Sequence, residues 1–283
     1  MKTLIGFILI SVLLFTTMSY SMTPEATWIQ TYTAATKLDQ QGNWPEARRT
    51  AQLALKKADY SFGRNSLNAA KSHLLLAELY AKRGKSASAE MHFINAIRIR
   101  ERLFGQNHVS TAKPLTCLAE LYVNENKLNQ ARIFFSRAVA ARQGNDDPGT
   151  AKALAGLAAL EARSGRLDES VALLNETLRL FQNAKKYSDE LCPLGIRSLI
   201  DLAEVYMIQG KHSRAANSYK LALAGLESFN PSLNSQMHYV LVRLGDSLRL
   251  MGSPQMASNY YRRSIAVRGQ DGGLVTMVMR IPQ

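Results

Sequence analysis

Five histidines (His73, His92, His108, His212 and His238) and two cysteines (Cys117 and Cys192) are the side chains here suited to metal binding or nucleophilic attack. Either chemistry needs its residues at short, fixed spacings such as i,i+4 on a helix or C-x-x-C in a loop. No histidine has another at i,i+3 or i,i+4, neither cysteine belongs to a C-x-x-C, and no histidine stands beside either at ligand spacing. His73 falls where a helix normally packs, which reads as a buried neutral ring. Asp146 and Asp147 read as loop and helix-start acids. The chain has no G-x-x-x-x-G-K-S/T, no H-E-x-x-H and no G-x-S-x-G. The expectation is a protein with no catalytic residue, no metal, no cofactor and no small-molecule substrate.

Charge is what recurs at regular spacing. Lys71, Lys113, Lys152 and Arg197 form one series; Glu78, Glu120, Glu204 and Asp246 form a second, with Ala159 standing in it between Glu120 and Glu204. For all four cations the acid or its stand-in lies seven residues further on, and Asn124 follows Glu120 by one turn. Residues seven apart share one face of a helix. A basic row therefore runs beside an acidic one, as an extended ligand with its own charges and peptide dipoles would require. The two rows could equally offset each other from one repeat to the next.

The elements that would carry these rows repeat. Leu76-Ala77-Glu78-Leu79-Tyr80 returns 42 residues later as Leu118-Ala119-Glu120-Leu121-Tyr122. Small residues at a close helix contact occur at Ala35, Ala77, Ala119, Ala158, Ala203 and Gly245. Seven beyond each stands Gly42, Gly84, Asn126, Gly165, Gly210 or Gly252; twelve beyond stands Ala47, Ala89, Ala131, Ser170, Ala215 or Ala257. Four further on come Ala51, Phe93, Phe135, Leu174, Tyr219 and Tyr261. A period between 20 and 50 residues marks a stack of units, each burying its apolar face against its neighbours. Thr23-Pro24-Glu25 and Asn43-Trp44-Pro45-Glu46 read as helix starts, with the first helix running to about Gln41. Asp147-Pro148, Asn230-Pro231 and Ser253-Pro254 read as further starts. Trp44 reads as a packing wedge at the helix turn.

This pattern of small residue, aromatic, Gly, Ala, aromatic, Ala resembles the tetratricopeptide repeat family. The 42-residue spacing resembles its kinesin-light-chain-like subclass, and Phe104-Gly105-Gln106-Asn107-His108-Val109 matches that subclass's linker in part. The resemblance implies an all-α, right-handed α-solenoid of about six helix-turn-helix repeats, near 28–68, 70–110, 112–148, 151–187, 196–229 and 238–268. It also implies that first helices line a concave groove holding a partner protein or extended peptide. The residues assigned to it are Lys71, Glu78, Lys113, Glu120, Asn124, Lys152, Arg197, Glu204 and Asp246. The family's two-carboxylate clamp wants lysines where this chain has Leu74, Thr116 and Ala155, and asparagines where it has Glu78 and Glu120, so that activity is not carried over. Glu161 in place of tyrosine, Thr177 in place of alanine and Ser264 in place of alanine imply looser packing locally.

Residues 1–21 have a short basic start, an apolar stretch from Leu4 to Thr16 and small residues at Ser19 and Ser21, the form of a secretory signal cut after Ser21. An uncleaved inner-membrane anchor is the alternative. The tail, 269–283, carries Gly272-Gly273 and then Leu274 to Met279, and would fold back over the last repeat or fray. Cys117 and Cys192 fall two repeats apart, which argues against an intrachain bridge. Net charge is +13, with 18 Lys/Arg against 11 Asp/Glu in 22–150 and 16 against 11 in 151–283. Without a concentrated basic tail, no nucleic-acid partner is expected. The leading reading is an exported, periplasmic or secreted scaffold. A second is a module attracted to anionic cell-wall polymer, lipopolysaccharide or membrane; a third is a secreted effector.

Overall fold

The fold turns on six residues in the left-handed region, where a β-carbon crowds the following carbonyl. Gly42, Gly84, Asn126, Gly165, Gly210 and Gly252 have φ between 60° and 77°, and Asn126 is the one non-glycine among the described residues to do so. Each reversal is sealed by the same bond. Lys85 N donates to Tyr80 O at 3.0 Å, Lys127 N to Tyr122 O at 2.8 Å and Lys211 N to Tyr206 O at 2.9 Å, which satisfies carbonyls left over at the helix end. Two residues past every such turn the next helix begins.

A computed structural model describes residues 22–141, 148–183, 188–229 and 234–269. The described residues form twelve α-helices and no strand: α1 Pro24–Gln40, α2 Trp44–Phe62, α3 Leu67–Lys82, α4 Ser86–Phe104, α5 Ala112–Asn124, α6 Leu128–Ala140, α7 Pro148–Arg163, α8 Leu167–Asn183, α9 Ser188–Ile208, α10 His212–Phe229, α11 Asn234–Leu250 and α12 Pro254–Gly269. A 3-10 turn at Val109–Thr111 leads into α5. The signal-like segment 1–21, the tail beyond Gly269, Asp146-Asp147, Asn230-Pro231 and the Cys192 side chain lie outside the described residues. The chain divides into two compact units, 1–106 and 107–283. The first stacks two helix hairpins, α1/α2 and α3/α4; the second stacks four, from α5/α6 to α11/α12. The fold is an all-α stack of helical repeats.

Packing explains the small residues. Ala35, Ala77, Ala119, Ala158 and Ala203 are fully buried, as are Ala47, Ala89, Ala131, Ser170 and Ala215 on the facing helices. Short side chains let the two backbones of a hairpin close up, and a larger residue one turn on fills the space they leave. Phe93, Phe135, Leu174 and Tyr219 do this, each at most 1% exposed, and each such burial contributes roughly 1.5–3 kcal/mol. The sixth repeat needs glycine at its small position. A β-carbon on Gly245 would stand 2.5 Å from the Tyr261 ring.

The first helix ends at Gln40, within a residue of the expected end, and Thr23 caps it as expected, accepting from Ala26 N at 3.2 Å. Other local expectations are corrected. Asn43 precedes α2 without a side-chain cap bond. α9 begins at Ser188, ahead of the expected boundary near 196. Packing is not looser at the three departures: Glu161, Thr177 and Ser264 are all at most 5% exposed. Thr177 donates to Leu173 O at 2.8 Å and Ser264 to Tyr261 O at 2.7 Å, so their hydroxyls are satisfied within their own helices. Glu161 is paired with Arg166 and, at 3.1 Å, with Arg132. Burial pushes its carboxyl upward from the usual range, and Arg132 opposes that shift.

Candidate partner-binding face

First helices of successive repeats touch one another within each unit, α1 with α3 in the first, and α5 with α7 and α7 with α9 in the second. Their outer surfaces therefore form continuous faces. Lys71 and Glu78 lie on the first unit's face; the other assigned residues lie on the second's.

Most of the charge rows turn out to be paired internally. Lys152 Nζ is 2.9 Å from Glu120 Oε1, joining the basic row of one repeat to the acidic row of the one before. Arg197 Nε is 3.0 Å from Asp201 Oδ1 within α9. Glu204 receives Arg243 Nη2 at 2.5 Å, Tyr219 Oη at 2.5 Å and Tyr239 Oη at 2.7 Å. Burial pushes the Glu204 carboxyl up, but these donors outweigh it and hold the group below its usual range. Burial and the same carboxylate push the Tyr239 phenol up to about 12. Asp246 accepts from Tyr261 Oη at 2.9 Å. In the first unit Lys71 Nζ stands 5.8 Å over the Trp28 ring, while Glu78 and Lys113 are each engaged by neighbouring groups. Along this face, then, Lys152 with Glu120 and Arg243 with Glu204 pair across neighbouring elements, and Arg197 pairs within its own helix.

What the second unit's face offers is a cleft of about 290 Å³ between α5, α7 and α9. Three assigned residues, Glu120, Asn124 and Lys152, stand at it, joined by Arg163. Phe135, Ala155, Gly156, Ala159, Leu160 and Leu194 complete an apolar lining. Its cause is a local shortage of side-chain volume on α7. Ala155 stands where other repeats carry Leu74, Thr116 or Ile200, Gly156 where they carry Leu75, Cys117 or Asp201, and Ala159 where they carry Glu78, Glu120 or Glu204. Gly156 is set by close approach: a β-carbon there would stand 2.4 Å from two carbons of the Phe135 ring. A concave apolar site with a few polar groups at its edge is the usual form of a ligand pocket. Charge spacing alone did not find these lining residues. The signal was present in Ala151-Lys-Ala-Leu-Ala-Gly-Leu-Ala-Ala-Leu160, read against the other repeats.

A second pairing also escaped helix-spacing rules. His73 on α3 and His92 on α4 meet Nδ1 to Nδ1 at 2.8 Å, and His92 stacks on Tyr80 with centroids 5.6 Å apart. One ring donates and the other accepts, so the accepting ring at least is neutral. Burial lowers both pKa values, that of His92 to about 4 with His73 adding to the shift. Among the described residues no group of three or more His, Cys, Asp or Glu is placed to hold a metal ion.

The family model described as tetratricopeptide repeat matches residues 68–144, 110–183 and 149–228. No curated protein matches the chain in sequence. Among solved structures, BtubC (BKLC) from P. vanneervenii is similar with a TM-score of 0.68 at 17% identity, over 93% of this chain and 98% of that one. A kinesin-light-chain protein of Podosopora anserina with nearly identical TPR-like repeats gives 0.60 at 19% identity, over 73% and 98%. PilW, described as a widely conserved type IV pilus biogenesis factor, gives 0.62 at 16% identity, over 85% and 93%. At these identities the likeness is one of fold.

Proposed function

Because the chain belongs to the tetratricopeptide repeat family, we propose that it is a non-catalytic scaffold that anchors a partner protein or peptide by an apolar side chain in the α5/α7/α9 cleft. The cleft carries this reading: it is apolar within and edged by Glu120, Asn124, Lys152 and Arg163. An apolar anchor supplies affinity through the water it displaces. The rim then fixes direction, Asn124 and Arg163 through hydrogen bonds and the Glu120–Lys152 pair through its two opposed charges. Residues 1–21 support an exported protein, with the scaffold working in the envelope or outside the cell. PilW, a pilus biogenesis factor of the same fold, is a precedent for that setting.

The test is photocrosslinking in cells, with a photoreactive phenylalanine analogue at Asn124 on the rim and at Lys220, exposed on α10. Asn124 should give a discrete crosslinked product that Lys220 does not, and Ala159→Leu should abolish it by filling the cleft. Equal products from the two sites, or a product indifferent to Ala159→Leu, would overturn the reading.

A further inference from the structure

The outward stripe of the second helices in the first unit has a different character from the cleft. On α2, Arg49, Leu53, Lys56 and Tyr60 follow one another at helical spacing and are all exposed; the corresponding positions on α4 include Met91, Arg98 and Arg102, exposed as well. The apolar members are well out in solvent, Leu53 at 48%, Met91 at 53% and Tyr60 at 95%. Lys56 and Arg98 occupy the same register in successive repeats and have no ion-pair partner among the described residues. Asp59 and Glu101, each three residues beyond those cations, are half-buried, so they do not share the cations' exposure. Arg49 keeps only a local pair with Glu46 at 2.9 Å, and Arg102 donates to the neutral Asn65 at 3.3 Å.

We propose that this α2/α4 face docks on an anionic phospholipid bilayer, with Lys56, Arg98 and Arg102 on the headgroups and Leu53, Tyr60 and Met91 in the interfacial layer. Charge complementarity requires an anionic partner. The apolar side chains select a bilayer over a soluble polyanion, because only a bilayer offers a hydrocarbon boundary beneath its charges. Tyrosine is suited to that depth, with an apolar ring and a polar tip. None of these residues lines the cleft, so this docking stands or falls independently of the scaffold reading.

The experiment is vesicle co-sedimentation of the full chain and of the chain from Met22, which controls for the apolar residues 1–21. Vesicles contain phosphatidylcholine alone or with phosphatidylglycerol, and polyphosphate serves as a soluble polyanion. Binding should require phosphatidylglycerol in both forms of the chain. Lys56→Glu with Arg98→Glu should weaken it by more than about tenfold. Leu53→Ser with Met91→Ser should weaken vesicle binding severalfold and leave polyphosphate binding unchanged, and Ala159→Leu should change neither. All five altered residues are exposed, and an unchanged melting curve verifies the fold. Absence of binding by the chain from Met22, equal binding to uncharged vesicles, or indifference to either double substitution would overturn the proposal.

Discussion

Gly156 shows how a single missing atom shapes this surface. Its hydrogen faces the Phe135 ring, which is itself only 1% exposed, and a β-carbon there would stand 2.4 Å from two ring carbons. Gly156→Ala should therefore destabilise the protein by about 1–3 kcal/mol, the usual cost of overpacking, despite alanine's better helix propensity. Urea unfolding monitored by circular dichroism measures this, and a gain in stability would show that the ring moves freely. His92 gives a residue-scale prediction of a different kind. Its ring titrates near 6.5 when unfolded and near 4 when folded. Between those values the unfolded chain holds the extra proton, so the contribution to stability is full above pH 6.5 and is lost as pH falls toward 4. His92→Gln, which keeps a polar partner for His73 but does not titrate, should flatten the fall in melting temperature across that window. Parallel pH profiles for the two proteins would sink this account.

Among the elements, the hairpin is the unit that could be read in advance, because its requirements are local. A left-handed turn needs Gly or Asn, the crossing needs small side chains, and both recur at one register from Ala35 to Gly245. Asn126 tests that logic directly. Asn126→Gly should change stability by only tenths of a kcal/mol, whereas Asn126→Val should cost about 1–2 kcal/mol by forcing a branched side chain to a φ of 60°. Equal stability of the two variants would mean that the turn relaxes out of the left-handed region. The cleft was harder to read for the opposite reason. It is a shortage of volume at Ala155, Gly156 and Ala159, visible only when α7 is set beside α5 and α9. Glu161 was misread for a related cause: its burial depends on Arg132 from α6 and Arg166 from the turn, neither of which a position-by-position comparison brings to it.

At the scale of the whole molecule, the question is where a net charge of +13 acts. On the cleft face the charges are largely spent on each other, as Lys152 with Glu120 and Arg243 with Glu204 show. On the α2/α4 face Lys56 and Arg98 have no such partners among the described residues. The two surfaces should then differ in their response to salt, since exposed charges are screened beyond about 8 Å at physiological ionic strength and apolar contacts are not. With the crosslinked partner's segment made as a peptide, its affinity for the cleft should change less than about twofold between 0.05 and 0.5 M NaCl. Vesicle binding should fall steeply over the same range. Fluorescence anisotropy of the peptide and co-sedimentation of the vesicles measure the two curves on one preparation. Steep salt dependence of the peptide would shift its recognition from the apolar lining to the rim pair, and Glu120→Ala with Lys152→Ala, which should otherwise leave affinity within about threefold for an exposed pair, would then abolish it.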